Sequence, residues 1–342
     1  MMTKIRLLYL GNNLSEKSKY KTTISTLSGL LGENYSIEVY SNKINKISRL
    51  LEMCLQLLKS RSNIDYVLID TFSTSAFYFA LFTSQIARIL NKKYIPILHG
   101  GNLPKRLDDS PRLCNMVFKY SYKNVAPSRY LEYEFNKRGF KTINIPNVLE
   151  LSNYNFKQRK DIKPNLLYVR SFDKIYNPTL AIYVLKELKN KYPLAKLCMI
   201  GPDKDGSLRE VQNLVNEFDL KESVEFTGVL EQKEWHKKSE EYDVFINTTN
   251  FDNTPVSVME AMALGLPVVS TNAGGVPYLI SDKKDGFLVS KNDKDEMIKA
   301  IESLLEDNQL VEKLTDNALK KVQSFDWKNV EKKWDSILRN AL

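Results

Sequence analysis

Short β-branched or apolar runs alternate with longer amphipathic segments along the whole chain, the pattern of βαβ units that assemble parallel sheets. In the first half the runs IRLLYL, YSIEVY, DYVLID, KKYIPIL, KNVAPS and KTINIP predict strands, and helical periodicity predicts helices near 22–31, 47–59, 75–90, 111–120 and 129–137. From 147 to 164 the sequence NVLELSNYNFKQRKDIKP loses both periods and turns polar, as a domain connection does. A second series of strands then follows, NLLYVR, AKLCMI, SVEFTG, YDVFIN, PVVST and DGFLV, with helices between them. After Asp293 the pattern is helical to the end, and Trp327, Trp334 and Ile337 recur at helical spacing, as packing residues would. The expectation is an α/β chain of two doubly wound domains, 1–150 and 151–325, and a terminal helix over 326–342. A length of 342 residues is also more than one hydrophobic core usually serves.

Composition narrows the class: 43% hydrophobic and 27% charged residues suit a globular protein with no disordered tract. The apolar run at the N-terminus reads as a first buried strand and not as a signal peptide. The longest apolar stretch, 71–82, is broken by Ser73, Thr74 and Ser75 and falls short of the roughly 20 residues that span a bilayer. Cys54, Cys114 and Cys198 are far apart in apolar contexts and read as buried free thiols, which fits the cytoplasm.

The net charge of +9 is unevenly shared. Residues 1–150 hold 22 Lys and Arg against 11 Asp and Glu, whereas the remainder is close to neutral. An anionic partner for the first domain is one reading, and a basic solvated face is the other. No nucleic-acid recognition motif or aromatic-basic platform occurs, so nucleic acid is not expected. An anionic membrane surface or a diphosphate-linked lipid acceptor fits better, with Lys105, Arg106, Arg112, Lys119 and Lys123 as the candidate contacts.

The segment richest in chemistry is DNTPVSVMEAMALGLP, from Asp252 to Pro267. It reads as one short helix with a polar cap before Pro255, good helix formers in its body, Gly265 as its stop and Pro267 beyond. Because it follows the strand YDVFIN, its free N–H groups face the crevice where parallel sheets bind ligands, and they favour a diphosphate. Asp252 and Glu260 place two acceptor carboxylates on either side, suited to the paired hydroxyls of a ribose or a hexose.

The stretch DNTPVSVMEAMALGLPVVSTNAGGVPYLI resembles the donor-binding segment of retaining GT-B glycosyltransferases of family 4, over roughly thirty residues. The resemblance implies two Rossmann-like domains facing a central cleft, with the terminal helix crossing back to the N-terminal domain. It implies that Glu260 holds the ribose hydroxyls and Asp252 the donor hexose, although the family has glutamate at both positions. The family's glycines between them are replaced here by Asn253, Thr254, Pro255, Val256 and Ser257, which become the candidate phosphate contacts. Arg170 and Lys174 resemble the family's basic pair on the diphosphate, though the family's glycine before the arginine is missing, and a surface ion pair is the alternative. Gly201 and Gly228 stand at strand ends, where backbone approaches a ligand or simply turns.

In the first half, His99 follows the strand KKYIPIL and precedes Gly100 and Gly101, and the resemblance makes it a contact of the transferred sugar. Gly11 ends the first strand, where the family has a glycine pair against the donor phosphate. No GxGxxG is present, which counts against an NAD enzyme. Asp203 and Asp205 could share a divalent cation, but they sit in a polar turn, and neither a metal nor another cofactor is expected beyond the nucleotide-sugar co-substrate. Asp293 and Asp295 read as a helix start, and His236, in a polar helix, as a solvated surface residue.

The function these features imply is transfer of a hexosyl unit from a nucleoside diphosphate sugar, with UDP or GDP as the nucleotide, to a hydroxyl of a glycan or lipid-linked acceptor, with retention of configuration. Surface polysaccharide or glycolipid synthesis at the inner face of the cell membrane is the expected setting. Two alternatives share the residues: a nucleotide-sugar 2-epimerase, which needs acid and base carboxylates at the sugar, and a catalytically silent nucleotide-sugar-binding subunit.

Overall fold

The computed structural model describes residues 4–14 and 22–339. The chain divides into two compact units, one made of Met1–Val148 with Trp327–Leu342 and the other of Leu149–Asp326. The boundary expected at 150 lies just inside the second unit, to which Leu149 is tied by donating its N–H to Phe325 O and bridging to Asp326.

The first unit is built on six strands: β1 (Arg6–Leu10), β2 (Ser36–Tyr40), β3 (Tyr66–Thr71), β4 (Lys93–Leu98), β5 (Asn124–Ala126) and β6 (Thr142–Asn144). They run parallel in the order β2-β1-β3-β4-β5-β6. Every residue of β3 is buried, as expected of a central parallel strand covered on both faces. The helices Lys46–Lys59, Phe77–Ile89, Leu103–Asp109, Pro111–Phe118 and Arg129–Lys137 cover one face, around Met53, Leu57, Phe77, Leu107, Val117, Phe118 and Phe135. The helices Thr23–Gly32 and Trp327–Leu338 cover the other. There Val330, Trp334, Ile337 and Leu338 pack on Leu7, Tyr9 and Ile95. Trp334 is therefore a packing residue.

The second unit repeats the plan with β7 (Asn165–Val169), β8 (Lys196–Ile200), β9 (Val224–Gly228), β10 (Val244–Asn247), β11 (Val268–Thr271) and β12 (Phe287–Val289). All are parallel, in the order β12-β11-β10-β7-β8-β9. The helix Lys294–Glu306 starts on Asp293, whose carboxylate accepts from Glu296 N at 2.9 Å. Among the described residues no helix is long and apolar enough to cross a membrane. Cys114 and Cys198 are buried free thiols, whereas Cys54 is only half-buried.

Strand order positions the chemistry. In a doubly wound sheet the chain leaves its first strand in opposite directions on the two sides, and a crevice opens at the carboxyl ends of the strands where it does so. That point lies between β7 and β10 in the second sheet and between β1 and β3 in the first.

Candidate functional site

Arg170 directly follows β7, and Asp252 lies in the segment that leaves β10, so the switch point of the second sheet brings them together. Arg170 Nη2 is ion-paired with Asp252 Oδ2. The guanidinium also stacks 4.3 Å from the centroid of the Tyr176 ring. The ion pair is largely buried and not on the surface. Burial pushes the Asp252 carboxyl above its ordinary range, and Arg170 acts against that shift. Burial likewise opposes the charge on Arg170, but Asp252, Tyr176 and Tyr168 together outweigh it and raise the guanidinium pKa above its ordinary value.

The backbone under Asp252 is fixed by Gly274 and Gly275. Gly275 N donates to Asp252 O at 2.7 Å. A Cβ on Gly274, which has φ +58°, would stand 2.3 Å from Asp252 O, and one on Gly275 would stand 1.8 Å from Asn253 O. Both positions therefore require glycine. Asn253 N donates to Asp252 Oδ1 at 2.8 Å.

The helix that follows runs Val256–Ala263, with Pro255 at its N-cap and no side-chain capping bond. The polar cap expected before Pro255 is therefore not formed. Gly265 does end the helix in the left-handed region, at φ +75°. Thr254 Oγ1 and Ser257 Oγ, on either side of Pro255 and Val256, are buried without a hydrogen-bond partner among the described residues. Two such hydroxyls beside uncapped helical N–H groups can both donate to an anion.

Glu260 is buried at the heart of this helix and held by side chains from two other segments. Tyr154 OH donates to Glu260 Oε1 at 3.0 Å, and Gln232 Nε2 donates to the same oxygen at 2.5 Å and to Tyr154 OH at 3.0 Å. His236 Nε2 stands 3.6 Å from Oε1, outside hydrogen-bond reach. The His236 ring packs 4.7 Å from Tyr154 and 4.5 Å from Trp235, and its side chain is 10% exposed. The reading of His236 as a solvated surface residue is corrected: the helix Gln232–Lys238 turns that residue inward beside Glu260. With the known donors gathered on Oε1, Oε2 is the side of the carboxylate left to accept from a ligand diol.

Gly201 has φ +152°, and a Cβ there would meet Arg170 O at 2.1 Å, so its glycine serves the close approach of β7 to the end of β8. Gly228, at φ +68° with open space around it, ends β9 and accepts from Gly201 N at 2.9 Å. The chain's own backbone thus gives each glycine a structural reason. Lys174 is exposed at the start of a short turn, and its N–H donates to Asp205 Oδ2 at 3.0 Å. Asp203 accepts from Gly206 N at 2.9 Å, and Asp205 accepts from Ser207 N at 3.1 Å, so both carboxylates cap the turn.

At the switch point of the first sheet, Gly11 follows β1, and a Cβ on it would lie 2.2 Å from Asp70 Oδ2. Gly11 therefore makes room for a side chain of this chain. Asp70, buried in β3, accepts from Tyr9 OH at 2.8 Å and lies 2.6 Å from His99 Nε2 through the same Oδ1. The His99 ring stacks on Phe72 at 5.2 Å, and His99 N donates to Thr71 O at 2.9 Å. Asp70 and Tyr9 were read only as strand residues.

Residues 152–321 match the family model described as glycosyl transferases group 1. Through these residues the chain belongs to that family. The sulfoquinovosyl transferase SQD2 of Arabidopsis thaliana is 31% identical over 151 residues, which cover 43% of this chain and 28% of that protein. The amylovoran biosynthesis glycosyltransferase AmsK of Erwinia amylovora is 26% identical over 220 residues, covering 60% and 53% respectively. The chain thus spans from about a quarter to about half of the length of these relatives. HepE of Anabaena, solved in complex with UDP, is similar in fold at TM-score 0.77 and 17% identity, over 99% of this chain and 100% of that one.

The two parallel sheets and their helices are a GT-B fold. The glycosyl transferases group 1 segment contains Arg170, Lys174, Asp252, Glu260, Tyr154, Gln232 and His236, whereas His99, Asp70 and Gly11 lie outside it.

Proposed function

We propose that this glycosyltransferase binds a nucleoside diphosphate sugar in its Leu149–Asp326 unit and moves the hexosyl group to a hydroxyl of a glycan or lipid-linked acceptor recognised by the other unit. The supporting observation is the helix Val256–Ala263, which carries a buried Glu260 held through one oxygen and two buried unpartnered hydroxyls at its uncapped start. In this reading Oε2 of Glu260 accepts from the ribose diol. The backbone N–H groups from 253 to 257, Thr254 and Ser257 receive the diphosphate.

Asp252 accepts from the donor hexose, and Arg170 and Lys174 stabilise the negative charge that grows on the departing diphosphate. Because Arg170 is already paired with Asp252, the entering diphosphate shares that guanidinium and frees part of the Asp252 carboxylate for sugar hydroxyls. His99, held by Asp70, meets the transferred sugar. The reaction follows the retaining course of family 4, with the leaving diphosphate taking the acceptor proton, and it needs no metal. UDP is the first nucleotide to test, because the similar fold of HepE is solved with it. An anionic membrane carrying a lipid-linked acceptor is the proposed setting, in surface polysaccharide or glycolipid synthesis.

Calorimetry with UDP and GDP, followed by mass spectrometry of products from a donor panel and a lipid-linked acceptor pool in EDTA, tests this reading. Donor-dependent mass gain on the acceptor, with the new anomeric centre matching the donor by NMR, is the expected result. Absence of nucleotide binding by the folded protein overturns it, and inverted product overturns the retaining course.

A further inference from the structure

The outward surface of the first unit is apolar where a doubly wound domain is normally polar. The helix Lys46–Lys59 buries Met53 and Leu57 toward the sheet, and on its opposite side exposes Ile47 (71%), Leu51 (58%), Leu55 (53%) and Leu58. Those four positions recur at intervals of four, four and three, so they form one stripe along the helix. The adjoining helix Phe77–Ile89 exposes Tyr78, Phe82 and Ile89 (80%) in the same manner. The helix Pro111–Phe118, packed against it, adds Met116. Gln85 Nε2 donates to Met116 O at 3.0 Å, and Arg88 stacks 3.9 Å from the Tyr120 ring, which ties the second and third helices together.

The charges on these helices are nearly all of one sign. They carry Lys46, Arg49, Lys59, Arg88 and Arg112 against a single carboxylate, Glu52, which accepts from Ser41 Oγ. Arg49 is buried on Lys43 O and Asn12 Oδ1, while Lys46, Lys59, Arg112 and the following Lys119 are exposed. Large apolar side chains exposed together on three neighbouring helices mark a candidate interaction site. Cations beside bulky apolar side chains match an anionic bilayer, where the apolar groups enter the acyl boundary and the cations stay among the headgroups. A second copy of the chain fits less well, because a two-fold contact would bring these cations against their own kind.

We infer that the exposed stripe Ile47, Leu51, Leu55 and Leu58, with Phe82 and Ile89 beside it, is the surface by which the first unit seats on an anionic lipid bilayer. The inference rests on the membrane setting proposed above and names the contact surface. It also moves that contact away from the loop after His99. Lys105 there is paired with Asp109, and Arg106 is stacked 4.4 Å from Phe77 and donates to Ser73 O at 3.3 Å, so two of the five cations read from the sequence are engaged within the chain.

The test is co-sedimentation with vesicles of phosphatidylcholine alone and of an equimolar mixture with phosphatidylglycerol, at low and raised salt. Wild-type protein should bind the anionic vesicles, and more weakly as salt rises. The variant Leu51→Glu/Leu55→Glu should lose on the order of tenfold or more in affinity. Both changes are at exposed positions, and unchanged circular dichroism and nucleotide binding show that the variant is folded. Leu194→Glu, exposed in the other unit, should bind like wild type. Wild type that ignores anionic vesicles, or a double variant that binds them as well as wild type does, overturns the inference. So does a wild-type dimer that the double variant dissolves, because the face then belongs to a second copy. Failure to bind any nucleotide while vesicle binding follows these rules would count against the transferase reading and leave this surface standing.

Discussion

His99 Nε2 lies 2.6 Å from Asp70 Oδ1, and Tyr9 OH donates to that same oxygen at 2.8 Å. An ionised carboxylate only accepts, so this contact puts a ring proton on Nε2. The stacking on Phe72 fixes the plane of the ring. Asp70 is thus a positioning residue for His99, and Gly11 is the space it needs.

Asp70→Asn tests the assignment, because an amide can donate to Nε2 and favour the opposite tautomer. The chain has two histidines, so a nitrogen-15 spectrum of the imidazoles resolves both rings. The wild-type His99 signal should show protonated Nε2, and the variant should lose that signature. Turnover should fall by on the order of tenfold or more while affinity for the free nucleoside diphosphate stays nearly intact, as it should for His99→Ala. A wild-type ring protonated at Nδ1 alone would refute the role given to Asp70.

The Glu260 cluster makes a graded prediction. Glu260→Ala removes the acceptor itself and should cost donor binding about 1.5 to 3 kcal/mol for each charge-assisted bond to the ribose. Tyr154→Phe removes one donor from Oε1 but leaves Gln232 in place, so its loss should be nearer 1 kcal/mol. Calorimetry with UDP measures both. Equal losses would mean that Tyr154 touches the ligand directly, and no loss in Glu260→Ala would move the ribose site elsewhere.

What the sequence allowed and what it hid divide along a physical line. The central strands were legible because parallel strands covered on both faces are continuous apolar runs, as in DYVLID and KLCMI, and edge strands such as SIEVY and VEFTG by their place in the alternation of strand and helix. The helix Leu103–Asp109 was missed because Gly100, Gly101 and Pro104 read as loop, although Pro104 sits in its first turn, where proline is tolerated. Asp252, Glu260 and His99 were legible from their place after strands and from family likeness. Asp70, Tyr154, Gln232 and His236 act across 29, 106, 28 and 24 residues of chain, and no local period encodes such contacts. Tyr154 was further disguised by its polar neighbours, which read as a linker.

Asp252 should give the enzyme an acid limb at unusually high pH. Its carboxyl is held above the ordinary range by burial, with Arg170 opposing, and the proposed contacts with Arg170 and the sugar both require the ionised form. As pH falls through this raised value the group takes up a proton and turnover falls, at a pH above the roughly 4 of an ordinary aspartate. Asp252→Asn should be slow at all pH and lack that limb. A wild-type profile that stays flat down to the ordinary carboxylate range would place the charged form elsewhere in the mechanism.

The segment that carries Tyr154 is anchored five residues further on by Arg159, which is buried. Its guanidinium donates to Leu264 O at 2.7 Å, Lys157 O at 2.9 Å, Ser239 O at 3.0 Å and Tyr242 O at 3.1 Å. Leu264 is the C-cap of the Glu260 helix, so the cation also meets the negative end of that helix. Burial lowers the Arg159 pKa to about 10, with Asp243 and Glu240 acting against the shift, and the side chain stays charged throughout any ordinary assay. Arg159→Ala would leave Lys157 O and Tyr242 O without their donor, while Leu264 O and Ser239 O keep the backbone N–H groups of Lys157 and Tyr242; at about 1 to 3 kcal/mol for each carbonyl that water cannot reach, a loss of about 2 kcal/mol or more is expected in urea denaturation. Lysine should not restore it, because a point ammonium cannot span the fork that the guanidinium spans. A group depressed in the folded state contributes a pH-dependent term only near and above its folded pKa, so the difference from wild type should be constant between about pH 6 and 9. Donor affinity should weaken as well, since Tyr154 loses its anchor. A variant as stable as wild type would show that these carbonyls find water, and intact donor affinity in a destabilised variant would separate Arg159 from the Glu260 cluster.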